Sequence, residues 1–228
     1  MTIEEIKNAL RRKAVIFETG GFRPTNELGE SWIGAVKWKK VEDTIPKDKD
    51  GNEMLPLATI FTENLGVLPK EIENVKLINV YISENVYDHL MALDGYFMVQ
   101  VYDSLEGLEP CAWLNDQIKA FPMKAKEIVD DFPEWDGGMD PKMEDEIIKH
   151  EDEENIDYYE DIHTEVYSMH KVGGYPAYIQ PGNWDKRYEF IFQISSDEKA
   201  RFNIVDSGSF YFFYSKELDN WEMQCDFF

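Results

Sequence analysis

At 228 residues, with 43% hydrophobic and 14% aromatic side chains, the chain has the material for one large domain or two small ones sharing a core, and its composition excludes a disordered polymer. A formal net charge of −23 repels phosphate backbones and anionic lipid, which argues against nucleic-acid and membrane partners and favours a basic protein, a cationic ligand or a metal cation. Two distant cysteines, Cys111 and Cys225, make neither a C-x-x-C pair nor a disulfide framework, and their apolar neighbours predict buried free thiols.

In chain order, Thr2 and Glu5 form a capping box, and Ile3, Ile6 and Leu10 follow at helical spacing, predicting a helix over residues 2–12. This opening has neither the basic start nor the unbroken apolar run of a signal peptide, and no stretch is apolar enough to span a membrane, so the expected setting is cytoplasmic. Residues 13–19 are β-like, and Gly20-Gly21 marks a turn. Val36 and Trp38 alternate with lysines as in a half-exposed strand. Pro56–Phe61, Val75–Ile82 and Tyr96–Tyr102 read as further strands.

Residues 103–169 differ, for Asp130 to Glu165 holds sixteen acidic residues against two lysines. Pro141 suits a helix start, with Met143, Ile147 and Ile148 as its apolar stripe. This predicts a helical acidic connector, solvated on one side, whose patch is Glu151, Asp152, Glu153, Glu154, Asp157, Glu160 and Asp161. The β-like pattern returns from Lys171, with strands over 188–194 and 209–214. Trp32-Ile33-Gly34 echoes Lys171-Val172-Gly173, Leu57–Phe61 echoes Phe190–Ile194, and Gly95–Tyr102 echoes Gly208–Ser215. The fold expected is β-rich α+β with two related antiparallel halves, 13–102 and 170–228, joined by the connector 103–169 in a single domain, the relation between the halves being a weak internal duplication.

Chemical motifs are sparse. Asp48-Lys49-Asp50-Gly51-Asn52 resembles the start of a calcium loop, but Glu53 stands where that loop needs its glycine. His150-Glu151 begins an H-E-x-x-H pattern whose second ligand is Glu154 instead of histidine. His163 and His170, seven residues apart, could share a helical face with carboxylates around them. Tyr175, Trp184 and Tyr188 could stack on a sugar or a cationic group. No nucleophile elbow, Walker loop or dinucleotide fingerprint occurs. No catalytic residue, metal ligand or cofactor is assigned.

Three blocks, Lys171-Val172-Gly173-Gly174-Tyr175-Pro176, Gln193-Ile194-Ser195-Ser196-Asp197 and Asp206-Ser207-Gly208, resemble the YwqG-like family of bacterial proteins of unknown function, as does Asp131–Trp135 upstream. Where that family has W-G-D-x-G, Ile204-Val205 replaces the Trp-Gly pair, and Cys225-Asp226 reverses a family Asp-Cys ending. The resemblance implies a β-rich fold of two related halves and, by analogy with proposed immunity proteins and a chaperone of a basic ribosomal protein, a role in protein binding. The function expected is non-catalytic capture of a basic protein partner, with Gly173, Gly174, Tyr175, Pro176, Gln180, Gln193, Asp206 and Gly208 as binding candidates. The alternatives are a hydrolase using carboxylates with His163 or His170, with or without a metal, and a small-ligand or carbohydrate-binding module.

Overall fold

The computed structural model describes every residue except Gly138, Asn183 and Trp184. Helix α1, Ile3–Leu10, begins with the expected capping box: Thr2 accepts from the Glu5 N–H at 3.2 Å and Glu5 accepts from the Thr2 N–H at 2.8 Å. Its apolar face, Ile6 and Leu10, packs on Ile147 of α2 (Pro141–Glu154), on Tyr158 and Ile162 of a short π-helical turn (Tyr158–Ile162), and on Phe132.

The remainder is antiparallel sheet. The strands are β1 (Arg12–Thr19), β2 (Ser31–Ile33), β3 (Ala35–Lys39), β4 (Leu55–Phe61), β5 (Leu77–Ile82), β6 (Phe97–Tyr102), β7 (Glu109–Leu114), β8 (Phe121–Asp131), β9 (Lys171–Gly173), β10 (Glu189–Ser195), β11 (Ser209–Ser215) and β12 (Asn220–Asp226). Ten of them form one sheet in the order β12-β11-β10-β9-β1-β8-β2-β4-β5-β6, while β3 and β7 pair separately. The order is symmetrical about the β1–β8 pair, with a meander of four strands leading away on each side. No helix among the described residues is long and apolar enough to cross a membrane.

The symmetry extends to the register. Trp32 and Ile33 pair with Thr59 and Ala58, as Lys171 and Val172 pair with Gln193 and Phe192. A bulge interrupts β4 between Pro56 and Ala58, and another interrupts β10 between Phe190 and Phe192. Gly34 and Gly173, which follow the paired residues, both have positive φ, 73° and 75°. Leu57 therefore corresponds to Ile191, one place along from the echo read in the sequence. The third echo moves by a whole strand: by sheet order β11 corresponds to β5, and β6 to β12.

The sheet curls until its ends approach, with the Phe97 ring of β6 lying 6.0 Å from the Phe212 ring of β11. One core fills the interior, drawing Val15, Ile33, Leu57, Ile78 and Val80 from one side and Val172, Ile191, Phe192, Phe210 and Phe212 from the other. The outer face is also covered, which is why β11 (Ser-Phe-Tyr-Phe-Phe-Tyr-Ser) lacks the polar alternation of a half-exposed strand: Phe210 and Phe212 point inward, while Tyr211 and Phe213 join Tyr188 and Phe190 outside. Over the other half the β3–β7 ribbon supplies the cover, packing Val36, Cys111 and Trp113 against Tyr81.

Residues 103–169 hold more than a helical connector. They contain β7 and also β8, whose eleven residues lie at the centre of the sheet. The run Lys124-Ala125-Lys126-Glu127 is exposed although its backbone pairs with β1, so β8 is a central strand with a polar middle, and its charges hide it from a hydrophobicity reading.

Candidate functional site

The expected binding residues converge in space, and most are occupied in holding the fold. Lys171 and Asp131 form an ion pair at 3.0 and 3.1 Å, with side chains 1% and 2% exposed. Asp131 also accepts from the Tyr175 N–H at 2.7 Å. Burial pushes Lys171 down and Asp131 up from their usual pKa ranges, and each charge opposes the shift of the other. Removing either partner of such a pair costs about 3–5 kcal/mol, because a buried charge is left uncompensated. Gly174 has φ of 71°, and a Cβ there would lie 1.9 Å from the Asp131 carboxylate, so the second glycine lets the chain pass over the pair.

The segment after Gly174 is laid on the outer face of the second half. Gln193, 1% exposed, accepts from the Ala177 N–H at 3.0 Å and donates to the Met169 carbonyl at 2.9 Å. The Tyr211 hydroxyl sits 2.7 Å from the Ala177 carbonyl and 2.8 Å from Asp226. Asp226 accepts the N–H groups of Ile179 and Gln180 at 2.8 and 3.2 Å, and the Gln180 side chain donates to the Phe227 carbonyl at 2.7 Å. Pro176 is buried and Tyr175 donates to the Leu10 carbonyl. Thr59 and Asn79, at the register positions matching Gln193 and Tyr211, hold the ribbon in the same way: Thr59 accepts from the Lys37 N–H and Asn79 donates to the Trp38 carbonyl. Asp226 was missed as part of this clasp because one acidic residue near a chain end has no periodic signature.

Asp206 and Gly208 sit in the loop between β10 and β11. Gly208 is buried, and a Cβ on it would lie 2.1 Å from the Asp226 carbonyl; Asp206 is exposed. Arg201, Val205 and Ser207 in this loop have φ of 53°, 52° and 54°, held by hydrogen bonds from Ser207 N–H to Asn203, from Asn203 to the Val205 carbonyl, and from Ile204 N–H to Ser196. A cavity of about 610 Å³ opens beside the loop, with Ser195, Ser196, Ser207 and Ser209 among its walls.

The two histidines do not share a helical face. His170 precedes β9, and both ring nitrogens are engaged: Nδ1 accepts from the Ser195 N–H at 3.1 Å, so Nε2 carries the proton and faces Asp197 at 3.3 Å. Burial disfavours the Asp197 charge, but bonds from His170, Thr19 and the Ala200 N–H outweigh it and hold the carboxyl below its usual range. With the imidazole turned to backbone and carboxylate, neither nitrogen faces a hydroxyl nucleophile. His163 is 2% exposed beside Phe132, Tyr158 and Tyr159, and its Nδ1 is the one buried side-chain nitrogen or oxygen among the described residues that lacks a partner. Burial lowers its pKa to about 4, with the Lys171 charge adding to the effect.

The other motifs resolve locally. Asp48 accepts from the Asp50 and Asn52 N–H groups and from the Ser83 hydroxyl, so the calcium-like loop is closed by its own bonds. His150 pairs with Glu154 at 3.1 Å on one side and the Met1 carbonyl at 2.6 Å on the other. Among the described residues no group of three or more His, Cys, Asp or Glu is placed to hold a metal ion. Of the expected aromatic group, Trp184 lies outside the described residues, Tyr188 is buried on the outer face, and Tyr175 is covered by Arg12 at 4.0 Å.

The acidic patch is committed to the fold in part, through Glu151, Glu154, Asp157 and Asp161. Asp140 caps α2 through the Lys142 N–H, and Asn155, with φ of 56°, ends it. Glu151 to Glu154 thus occupy the C-terminal end of the helix, where the macrodipole disfavours anions, and the last turn has no lysine or arginine. Glu151 accepts from the Tyr158 N–H, and Asp157 caps the π-helical turn. Asp152, Glu153, Glu154, Glu160 and Asp161 are exposed. Ile148 on α2 and Tyr159 on the π-helical turn are exposed apolar side chains of the same elements, 44% and 46% accessible, and Val166 and Met169 further along the chain are 48% and 40% accessible.

Comparison with known proteins finds one family model, described as a domain of unknown function (DUF1963), which matches residues 37–222. No curated protein matches the chain.

Proposed function

Because the chain belongs to the DUF1963 family, whose description carries no activity, we propose from its surface chemistry that it is a YwqG-like, cytoplasmic protein that captures a basic protein partner without covalent chemistry. The observation that carries this reading is the run Glu151–Glu154 at the negative end of α2, with exposed Ile148 on the same helix and exposed Tyr159 on the π-helical turn that follows it. Anions stacked on a helix C-terminus weaken the helix locally, and a cationic partner would relieve that cost. Acidic groups around apolar anchors have the make-up of a protein-binding surface, in which charge steers the encounter and apolar contact holds it. An immunity protein and a chaperone of a basic protein are the two concrete forms.

The test is capture from native host lysate at low salt, followed by a high-salt wash, for the wild type and for Asp152→Asn/Glu153→Gln/Glu154→Gln. The wild type is expected to enrich one basic protein that salt releases, and the triple variant to bind it about tenfold more weakly. Retention that ignores both salt and the variant counts against the reading.

A further inference from the structure

The loop between β10 and β11 holds strained backbone beside a cavity. Among the described residues six other than glycine have positive φ, and three of them, Arg201, Val205 and Ser207, fall within seven positions of this loop. Backbone of this kind persists only where the surrounding structure over-determines it, and it concentrates at ligand clamps. The cavity of about 610 Å³ beside the loop has the volume of a small-molecule site. Five serines line it. Ser195 and Ser209 are buried and bonded to each other at 2.9 Å, and Ser196 is fixed by the Ile204 N–H at 2.8 Å and the Gly208 carbonyl at 3.0 Å. The hydroxyls of the other two, Ser168 and Ser207, make no hydrogen bond among the described residues. Arg201 and Glu198 stand three positions apart in one turn, closed by the Arg201 N–H donating to the Glu198 carbonyl at 3.1 Å. Both side chains are exposed, yet they form no ion pair, and neither has a hydrogen-bond partner among the described residues. Phe228, 79% exposed, completes the wall, and its N–H donates to the Asp206 carbonyl at 3.2 Å.

We propose that this cavity binds a neutral sugar of hexose size. Arginine only donates hydrogen bonds, a carboxylate only accepts them, and a hydroxyl does both. A ring of hydroxyl groups therefore meets Arg201, Glu198 and the serines at once. An ionic ligand does not, because Asp197 and Glu198 in the wall oppose an anion and Arg201 opposes a cation. Asp197 is already held by His170 and the Ala200 N–H, which leaves Glu198 as the open carboxylate. An apolar ligand would strip water from the serine hydroxyls without replacing its hydrogen bonds. The exposed Phe228 ring supplies a flat face, electron-rich at its centre, against which the C–H groups of a sugar ring can lie. None of the cavity's described walls belongs to the acidic patch, so the proposal stands apart from the capture of a basic protein.

The probes are D-glucose, D-galactose and D-mannose, with D-glucuronate and D-glucosamine as an anionic and a cationic form of the same ring. Amide chemical shifts of the full chain, followed by NMR through each titration, report binding and its place. At least one neutral hexose is expected to shift resonances within residues 195–209 saturably, and to bind more tightly than either charged sugar. Arg201→Ala and Phe228→Ala change exposed side chains, so the melting temperature should stay in place while each weakens that binding about tenfold. The absence of a saturable shift in residues 195–209 with all three hexoses would overturn the proposal. Tighter binding of glucuronate or glucosamine would do the same, as would affinity unchanged in either variant.

Discussion

His163 is where a single residue departs most from ordinary packing rules. An imidazole nitrogen buried without a partner costs about 1–3 kcal/mol, and the aromatic surroundings would accept a phenylalanine of similar shape. Its folded pKa of about 4 lies below the ordinary value of 6.5, so between these values the unfolded chain binds the proton more readily than the native one. The sign follows from linkage: this residue's contribution is complete above pH 6.5 and is lost as pH falls toward 4. His163→Phe is therefore expected to raise stability at neutral pH by about 1 kcal/mol and to flatten the acid limb of the stability curve. Urea midpoints measured for both proteins across that range check it. An unchanged acid limb would place the proton uptake on other groups.

At the scale of elements, Val205 shows how a loop stores strain. The loop holds this residue in the left-handed conformation glycine prefers, φ 52°, although its side chain is β-branched. Leaving the right-handed region costs a non-glycine residue about 1–2 kcal/mol, partly offset by the chain entropy that glycine loses on folding. Val205→Gly is expected to stabilise by about 1 kcal/mol, read as a rise in melting temperature; a fall would mean that the Val205 side chain contributes packing that its 42% exposure does not suggest. The same loop shows what sequence reading reaches. Local signals were legible: the Thr2–Glu5 box, the Pro141 start, the apolar strands and the paired glycines all act within a few residues. Signals made by distant partners were not. Lys171 reads as one more charge until Asp131 is seen 3.0 Å away, Gln193 reads as a strand residue until the Ala177 N–H reaches it, and β8 is hidden because its charged middle pairs through backbone alone. The acidic patch was legible as composition, whereas its place on the wrong end of α2 depended on knowing where the helix stops.

For the whole molecule, the question is whether symmetrical halves behave as two units or one. The strand order divides cleanly at the β1–β8 pair, which invites independent folding. Three observations oppose that. Strand β1 precedes the first meander in sequence but pairs with β9 of the second, so the chain crosses the division before either meander is complete. The interior is shared, since Phe97 meets Phe212 across the curl and Val15, Ile33, Val172 and Ile191 lie in one apolar cluster. The Lys119 N–H also donates to the Ala200 carbonyl, tying the start of β8 to the far loop. Neither half can bury its inner face alone. Unfolding in urea is therefore expected as one transition, with the same midpoint whether followed through Trp32 in the first half or Trp221 in the second, each as the sole remaining tryptophan, and through circular dichroism. A chain cut to residues 1–102 should show no cooperative transition. Because the folded state concentrates a net charge of −23, that common midpoint should rise as salt screens the self-repulsion. Two separated midpoints, or a salt effect confined to one reporter, would show that the halves hold separate cores and that the β1–β8 pair is a seam between modules.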